Sequence, residues 1–138
     1  AGRLASALGG SVAVFGSQQE RPVAEAVTEP LLARGISARN LAGETSLGAF
    51  IELAAASSVF LTNDSGSMHV ASALGIPTVA VFGATDDAAT GPAGPRTRVV
   101  REPVDCSPCL LRECPIDHRC MTRVAAARVA AEALELMK

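Results

Sequence analysis

The 138-residue sequence has no tryptophan, no tyrosine and only four phenylalanines. The flat aromatic platforms on which single-stranded nucleic acids stack are therefore missing. Surplus positive charge is missing too. Twelve basic against fourteen acidic side chains leave a formal net charge of −2, the wrong balance for gripping a phosphate backbone. A nucleic-acid partner is not expected. No apolar run approaches the roughly 18 residues that would span a bilayer, and the first residues carry no signal-peptide pattern. The expectation from these readings is a soluble, intracellular protein.

What is abundant is small and aliphatic. Hydrophobic residues make up 49% of the chain, mostly Ala, Val and Leu, enough to bury the core of one globular domain. The opening stretch, Ala1 to Gly10, reads like the tail of a helix ending in glycines, so the chain is expected to be truncated at its N-terminus.

Strand and helix signals then alternate. Ser11 to Gly16 is a short apolar run closed by glycine, which suits a strand buried on both faces of a parallel sheet. Gln18 to Arg34 reads as a helix, with Pro22 near its first turn and Gly35 just past its end. Ile36 to Leu41 reads as a second strand, and Thr45 or Ser46 is placed to cap a helix running to about Ser57. The apolar face of that helix is Leu47, Phe50, Ile51 and Leu53 to Ala54. Ser58 to Thr62 is a third strand, followed by a short helix from about Ser67 to Leu74 that Gly75 ends. Pro77 to Gly83 is a fourth strand, Ala84 to Pro95 a loop, and Thr97 to Arg101 a fifth strand. A final helix from about Thr122, its cap, to Met137 presents Val124, Ala127 to Arg128, Ala131, Leu134 and Met137 to cover the sheet. This alternation predicts a Rossmann-like three-layer α/β/α domain with right-handed connections and a parallel sheet of about five strands.

In open parallel sheets ligands collect at the carboxyl ends of the strands. The informative loops are thus Gly16 to Glu20, Ala42 to Ser46, Asn63 to His69 and Gly83 to Asp87. In the third, a strand runs through Asn63-Asp64-Ser65-Gly66 straight into a helix. The unpaired amides of the first turn then point outward at the positive end of the helix dipole, which makes an anion site. Gly66 would let a phosphate approach the backbone, Ser65 and Ser67 can add hydroxyl donors, and His69 lies one turn in. The plainer reading is that Asp64 or Ser65 only caps the helix and His69 is an ordinary surface residue.

The stretch from Thr62-Asn63-Asp64-Ser65-Gly66-Ser67-Met68-His69 through Gly83-Ala84-Thr85 resembles the signature of the ADP-heptose:lipopolysaccharide heptosyltransferases, the GT-B enzymes of glycosyltransferase family 9. Asn40-Leu41-Ala42-Gly43-Glu44-Thr45-Ser46-Leu47 resembles a second segment of that family, particularly its heptosyltransferase II branch, and Val14-Phe15-Gly16-Ser17 a third. The likeness spans about Ser11 to the end. It implies that residues 1–138 are the C-terminal, ADP-heptose-binding half of a two-domain enzyme. Asp64, Ser65, Gly66, Ser67 and His69 would then contact the diphosphate and the adjoining heptose, with Gly83, Ala84 and Thr85 bordering sugar and phosphate. Glu20, after Gly16 and Ser17, would accept hydrogen bonds from the ribose hydroxyls, although the helix dipole favours a carboxylate there whatever the ligand. Leu41, Ala42 and Gly43 would meet the adenine through backbone groups. Where the family often has Gly-Pro-Thr or Gly-Pro-Ser, this chain has Gly83-Ala84-Thr85, which implies a less rigid loop. The implied reaction is an inverting displacement at the anomeric carbon that needs no metal. Its base would come from the N-terminal domain, which also holds the lipopolysaccharide inner-core acceptor, so no catalytic residue is expected in these 138 residues. The implied location is the cytoplasm, at the inner face of the inner membrane, with peripheral membrane association of the full-length enzyme.

All four cysteines, Cys106, Cys109, Cys114 and Cys120, fall in one segment, residues 106–120. Four thiolates can hold a structural zinc, but only the first pair has tight spacing; reduced structural thiols and disulfides are the other readings. The segment follows the fifth strand, away from the four loops. Two further functional readings stay open: half of another GT-B nucleotide-sugar enzyme, transferase or epimerase, and a non-enzymatic metal module built on the cysteines.

Overall fold

A computed structural model describes residues 1–138. They form two compact units, Ala1–Leu53 and Ala54–Lys138. No helix is long and apolar enough to cross a membrane.

The first unit opens with α1, Gly2–Leu8, which Gly9 closes in the left-handed conformation at φ 64°. Strand β1, Val12–Val14, leads into a 3₁₀ turn, Gln18–Glu20, and then α2, Arg21–Leu32, with Pro22 in its first turn. Pro fits there because the amide it lacks would have had no intrahelical partner. Helix α2 buries Ala24, Thr28 and Leu31, one stripe at helical spacing, and packs on β1 and on β2, Ala38–Asn40. The two strands pair in parallel, Val12 opposite Ala38 and Val14 opposite Asn40. The opposed pair between them, Ala13 and Arg39, is exposed. The expected burial of the first strand on both faces is therefore not found: within this unit α2 covers only one side of a two-stranded ladder. Ser46 is the cap of α3, Leu47–Ala55, its Oγ accepting from the Ala49 amide at 3.2 Å. Of the expected apolar face, Phe50 and Ala54 are buried while Leu47 and Leu53 are exposed. Phe50 meets Phe15 edge to face, with ring centroids 5.1 Å apart.

The second unit is built on β3, Phe60–Asn63, β4, Thr78–Phe82, and β5, Thr97–Arg101, paired in parallel in the order β3-β4-β5. The five strands expected are all present, their ladders falling into sheets of two and three strands. As the middle strand β4 is the one hidden from water, with Thr78, Val79, Ala80 and Phe82 buried. An unbroken apolar run is what such a position demands. The buried Thr78 hydroxyl is satisfied by the Ile76 carbonyl at 2.8 Å. Helix α4, Gly66–Ala73, packs on β3 and β4 and places Met68 with Ala80 and Phe82 in the core. Gly75 ends it at φ 73°.

Two short helices escape the sequence pattern: α5, Asp87–Thr90, inside the expected loop, and α6, Arg119–Thr122, at the end of the cysteine segment. The last helix, α7, is Ala126–Leu136 and packs on β4 and β5. Thr122 does not cap it, being the last residue of α6 with its amide bonded to the His118 carbonyl. Its buried face is Ala130 and Ala133, flanked by half-buried Val129 and Leu136, whereas Ala127 and Ala131 are exposed. Val124, Leu134 and Met137 are half-buried as expected, but Arg128 turns outward to the Arg101 carbonyl and the Glu102 carboxylate.

Candidate functional site

In the first unit the loops after β1 and β2 are tied to each other. The Gly43 amide donates to the Gly16 carbonyl at 2.9 Å. Gly43 itself has φ 74°, and a Cβ there would collide with Gln18, whose Cα would be 2.8 Å away. Gly16, Ser17, Glu20, Leu41, Ala42 and Gly43, the residues expected around a nucleoside, are thereby brought to one edge. Their backbone is largely used up. The Leu41 amide donates to Val14 and its carbonyl accepts from Glu44. The Ala42 amide donates to Asn40 Oδ1 at 3.0 Å, and its carbonyl accepts from Arg21 Nη1 at 3.0 Å. With the Gly43 amide also engaged, the Gly43 carbonyl is the one group of this tripeptide backbone with no protein donor. Arg21 and Asn40 are the clamp: Arg21 also pairs with Glu44 at 2.8 Å, and Asn40 Nδ2 donates to the Arg21 carbonyl at 3.1 Å. Arg21 did not stand out in the sequence, since its partners Asn40, Ala42 and Glu44 lie 19 to 23 residues away.

Glu20 is occupied locally. One carboxylate oxygen accepts the Ser17 amide at 2.7 Å in a capping box. Hydrogen bonds from the Ser17 amide and then its hydroxyl hold the carboxyl below its ordinary value of 4.5, slight desolvation opposing them. A depressed pKa means the folded state prefers the carboxylate. Its contribution is complete above about pH 4.5 and is lost as pH falls through the lower folded value. Glu20→Gln should therefore blunt the acid sensitivity of the Ser17 amide: in NMR titrations the wild-type resonance moves in the acid range and the variant's stays still. Equal movement in both would remove Glu20 as the cause.

In the second unit β3 and β4 run side by side with Asn63 opposite Val81, so the Asp64–Ser67 turn and the Gly83–Thr85 loop leave the sheet at one edge. Ser65, the residue before α4, is extended at φ −159° and makes no side-chain cap bond. Its hydroxyl lies 2.7 Å from that of Ser67 and 3.2 Å from that of Thr62. The plain capping reading thus fails for Ser65: three hydroxyls gather beside a first turn whose Gly66 and Ser67 amides no side chain caps. A Cβ on Gly66 would meet nothing within 4 Å, so the space in front of it is open. Asp64 does not cap α4 either; its Oδ2 accepts from Thr90 Oγ1 at 3.2 Å, at the far end of α5. His69 is exposed on the same turn of α4. Such a turn, with dipole, open amides and hydroxyl donors, can hold an anion. Gly83 is buried, and Ala84 and Thr85 are half-buried.

The cysteine segment lies elsewhere than expected. It packs on the loop after β4: Ser107 Oγ donates to the Gly83 carbonyl at 2.5 Å, and the Leu110 amide donates to the Ala84 carbonyl at 2.8 Å. Cys120 is buried there, 3.2 Å from where a Gly83 Cβ would stand. The reason is non-local: after β5 the chain turns back across the end of its neighbour β4. The four cysteines are unpaired. No three cysteine, histidine or acidic side chains gather as a metal-holding group, so the zinc ligand set Cys106, Cys109, Cys114 and Cys120 is not assembled. The sulfur of Cys114 instead accepts the His118 amide at 3.3 Å.

Comparison with known proteins gives the family and the fold. The profile of "Glycosyltransferase family 9 (heptosyltransferase)" matches residues 3–119. Lipooligosaccharide heptosyltransferase 2 of Campylobacter jejuni is 29% identical over 130 residues, 92% of this chain and 41% of that protein. Lipopolysaccharide heptosyltransferase 2 of Escherichia coli K12 is 42% identical over 97 residues, 67% of this chain and 27% of that protein. The solved structure of E. coli ADP-heptose LPS heptosyltransferase II superposes with a TM-score of 0.80 at 32% identity, covering 99% of this chain and 40% of that one. A family 9 glycosyltransferase from Veillonella parvula shares the fold, with a TM-score of 0.74 at 21% identity, covering 99% of this chain and 38% of that one. The chain thus spans about two fifths of the length of the Campylobacter relatives it matches. With the profile covering most of its residues, the chain belongs to glycosyltransferase family 9, the heptosyltransferase family.

Proposed function

We propose that this chain is the donor-binding part of a heptosyltransferase and that its ligand is ADP-heptose. The observation that carries the reading is the uncapped first turn of α4, with the hydroxyls of Ser65 and Ser67 beside it, while Thr62 spends its own proton on the Asn63 carbonyl. A pyrophosphate is the anion that such a turn suits, through backbone amides and hydroxyl donors. Asp64, a carboxylate, suits the hydroxyls of the adjoining heptose rather than the diphosphate, and Glu20, as a carboxylate, suits the ribose hydroxyls. Gly83, Ala84 and Thr85 border the sugar. The reaction is an inverting displacement: an acceptor hydroxyl of the lipopolysaccharide inner core attacks the anomeric carbon, the bond to the diphosphate breaks, and ADP departs. Amides and hydroxyls at the helix end stabilise the charge growing on that diphosphate, so no metal is needed for the step. The hydroxyl proton goes to a base outside these 138 residues. The enzyme works in the cytoplasm, at the inner face of the inner membrane.

Calorimetric titration of ADP, UDP and GDP tests the reading. ADP should bind and the other two should bind far more weakly; tight UDP binding with none for ADP would transfer the chain to a different nucleotide-sugar enzyme. In the same experiment His69→Ala should weaken ADP binding about tenfold, the size of one charge-assisted hydrogen bond, with the thermal midpoint unchanged. Unaltered affinity would leave His69 as a surface residue.

A further inference from the structure

The loop after β4 is not held by its strand alone. The Gly83 carbonyl accepts from Ser107 Oγ at 2.5 Å, and that hydroxyl accepts in turn from Arg101 Nη2 at 3.2 Å. The other guanidinium nitrogen of Arg101, Nη1, pairs with Asp87 at the start of α5. At the end of α5, Thr90 Oγ1 lies within reach of both the Asp86 carbonyl, at 3.1 Å, and Asp64 Oδ2, at 3.2 Å. One polar chain therefore runs from Asp64 through α5, Arg101 and Ser107 to Gly83. The Leu110 amide closes a second link onto Ala84. Met121 and Cys120 of the same segment stand against Gly83, with Met121 Sδ 2.5 Å from where a Cβ would be.

We propose that Arg101 and Ser107 are positioning residues that set the Gly83–Thr85 loop against the Asp64–Ser67 turn, with the cysteine segment acting as the brace of the diphosphate end of the site. The inference rests on the donor-binding reading above. Two features make Arg101 more than an ordinary ion pair. Its planar fork holds two acceptors on two different segments in one fixed geometry, which the single flexible ammonium of a lysine does not impose. The hydroxyl it orients spends its own proton on the carbonyl that begins the ligand loop. Isolated pairs of this exposure contribute little to stability, so the effect belongs in ligand affinity rather than in the thermal midpoint.

The test compares ADP with adenosine by NMR titration of the wild-type chain, Arg101→Lys, Arg101→Met and Ser107→Ala, together with amide exchange at Leu110. Arg101→Met and Ser107→Ala should each weaken ADP about tenfold while leaving adenosine affinity unchanged, and the double variant should be little worse than either alone. Arg101→Lys should fall between, and Leu110 exchange should quicken in Arg101→Met. An unchanged ratio of ADP to adenosine affinity in all variants, with Leu110 still protected, overturns the proposal. A wild-type chain that ignores ADP overturns the donor reading instead. The Leu110 exchange rate then decides the brace alone: acceleration supports it and an unaltered rate refutes it.

Discussion

Gly43→Ala should lower the stability of the chain by about 3 kcal/mol, combining the left-handed penalty of a non-glycine residue with overpacking. The thermal midpoint should drop by about 10 °C. Two separate causes act at this position. The backbone is at φ 74°, and the added methyl would run into Gln18, including its Cα at 2.8 Å, which cannot swing aside as a side-chain end can. Gly35 separates the two: it has the same φ of 74°, but a Cβ there meets nothing within 4 Å. Gly35→Ala should therefore cost only the conformational part, about 1 kcal/mol. Circular dichroism melts of the two variants side by side settle the matter. If Gly43→Ala melts no lower than Gly35→Ala, the loops after β1 and β2 are not in close contact.

Gly66→Asp should abolish most ADP binding while leaving the fold as stable as before. The position opens α4 and has free space around it, and an acidic residue in a first helical turn is favoured by the dipole. The same negative charge would stand where the diphosphate is proposed to lie. Like charges a few ångströms apart at the protein surface repel by a few kcal/mol, so affinity should fall about 100-fold. Gly66→Ala distinguishes charge from bulk: its methyl narrows the approach to the amides without repelling, and the loss should be smaller. Calorimetry with ADP, checked against thermal melts, reads both effects. ADP affinity that survives Gly66→Asp would move the pyrophosphate away from α4.

The parts of this fold that could be read from the sequence are those set by neighbours in the chain. The β4 run was legible because a strand with partners on both sides needs apolar residues at nearly every position, as Thr78 to Phe82 supply. The α4 turn was legible because strand, Asp64-Ser65-Gly66 and helix follow one another directly. The cap of α3 could be narrowed to Thr45 or Ser46 for the same reason, and the bond from the Ala49 amide selects Ser46. What could not be read depends on distant partners. Helices α5 and α6, four residues each, are too short to show a period. Helix α7 has alanines on several sides, so its sequence barely distinguishes one roll from the next, and the face it buries, Ala130 and Ala133, follows from its packing on β4 and β5. The clamp of Arg21 and Asn40, and the contact of the cysteine segment with Gly83, join residues 19 to 24 positions apart that no local pattern links.

The internal pairing of Leu41, Ala42 and Gly43 bears on which bases this loop could tell apart. With all three amides of the tripeptide committed, what it offers is acceptors, the lone pairs of the Gly43 oxygen and the second lone pairs of the Leu41 and Ala42 oxygens. A ring edge bearing an exocyclic amine satisfies them, whereas a keto oxygen in the same place sets lone pair against lone pair. In the proposed donor complex, discrimination would come from a strip of oxygens that only accept, and it would be inherited from how the chain stitches its own backbone together.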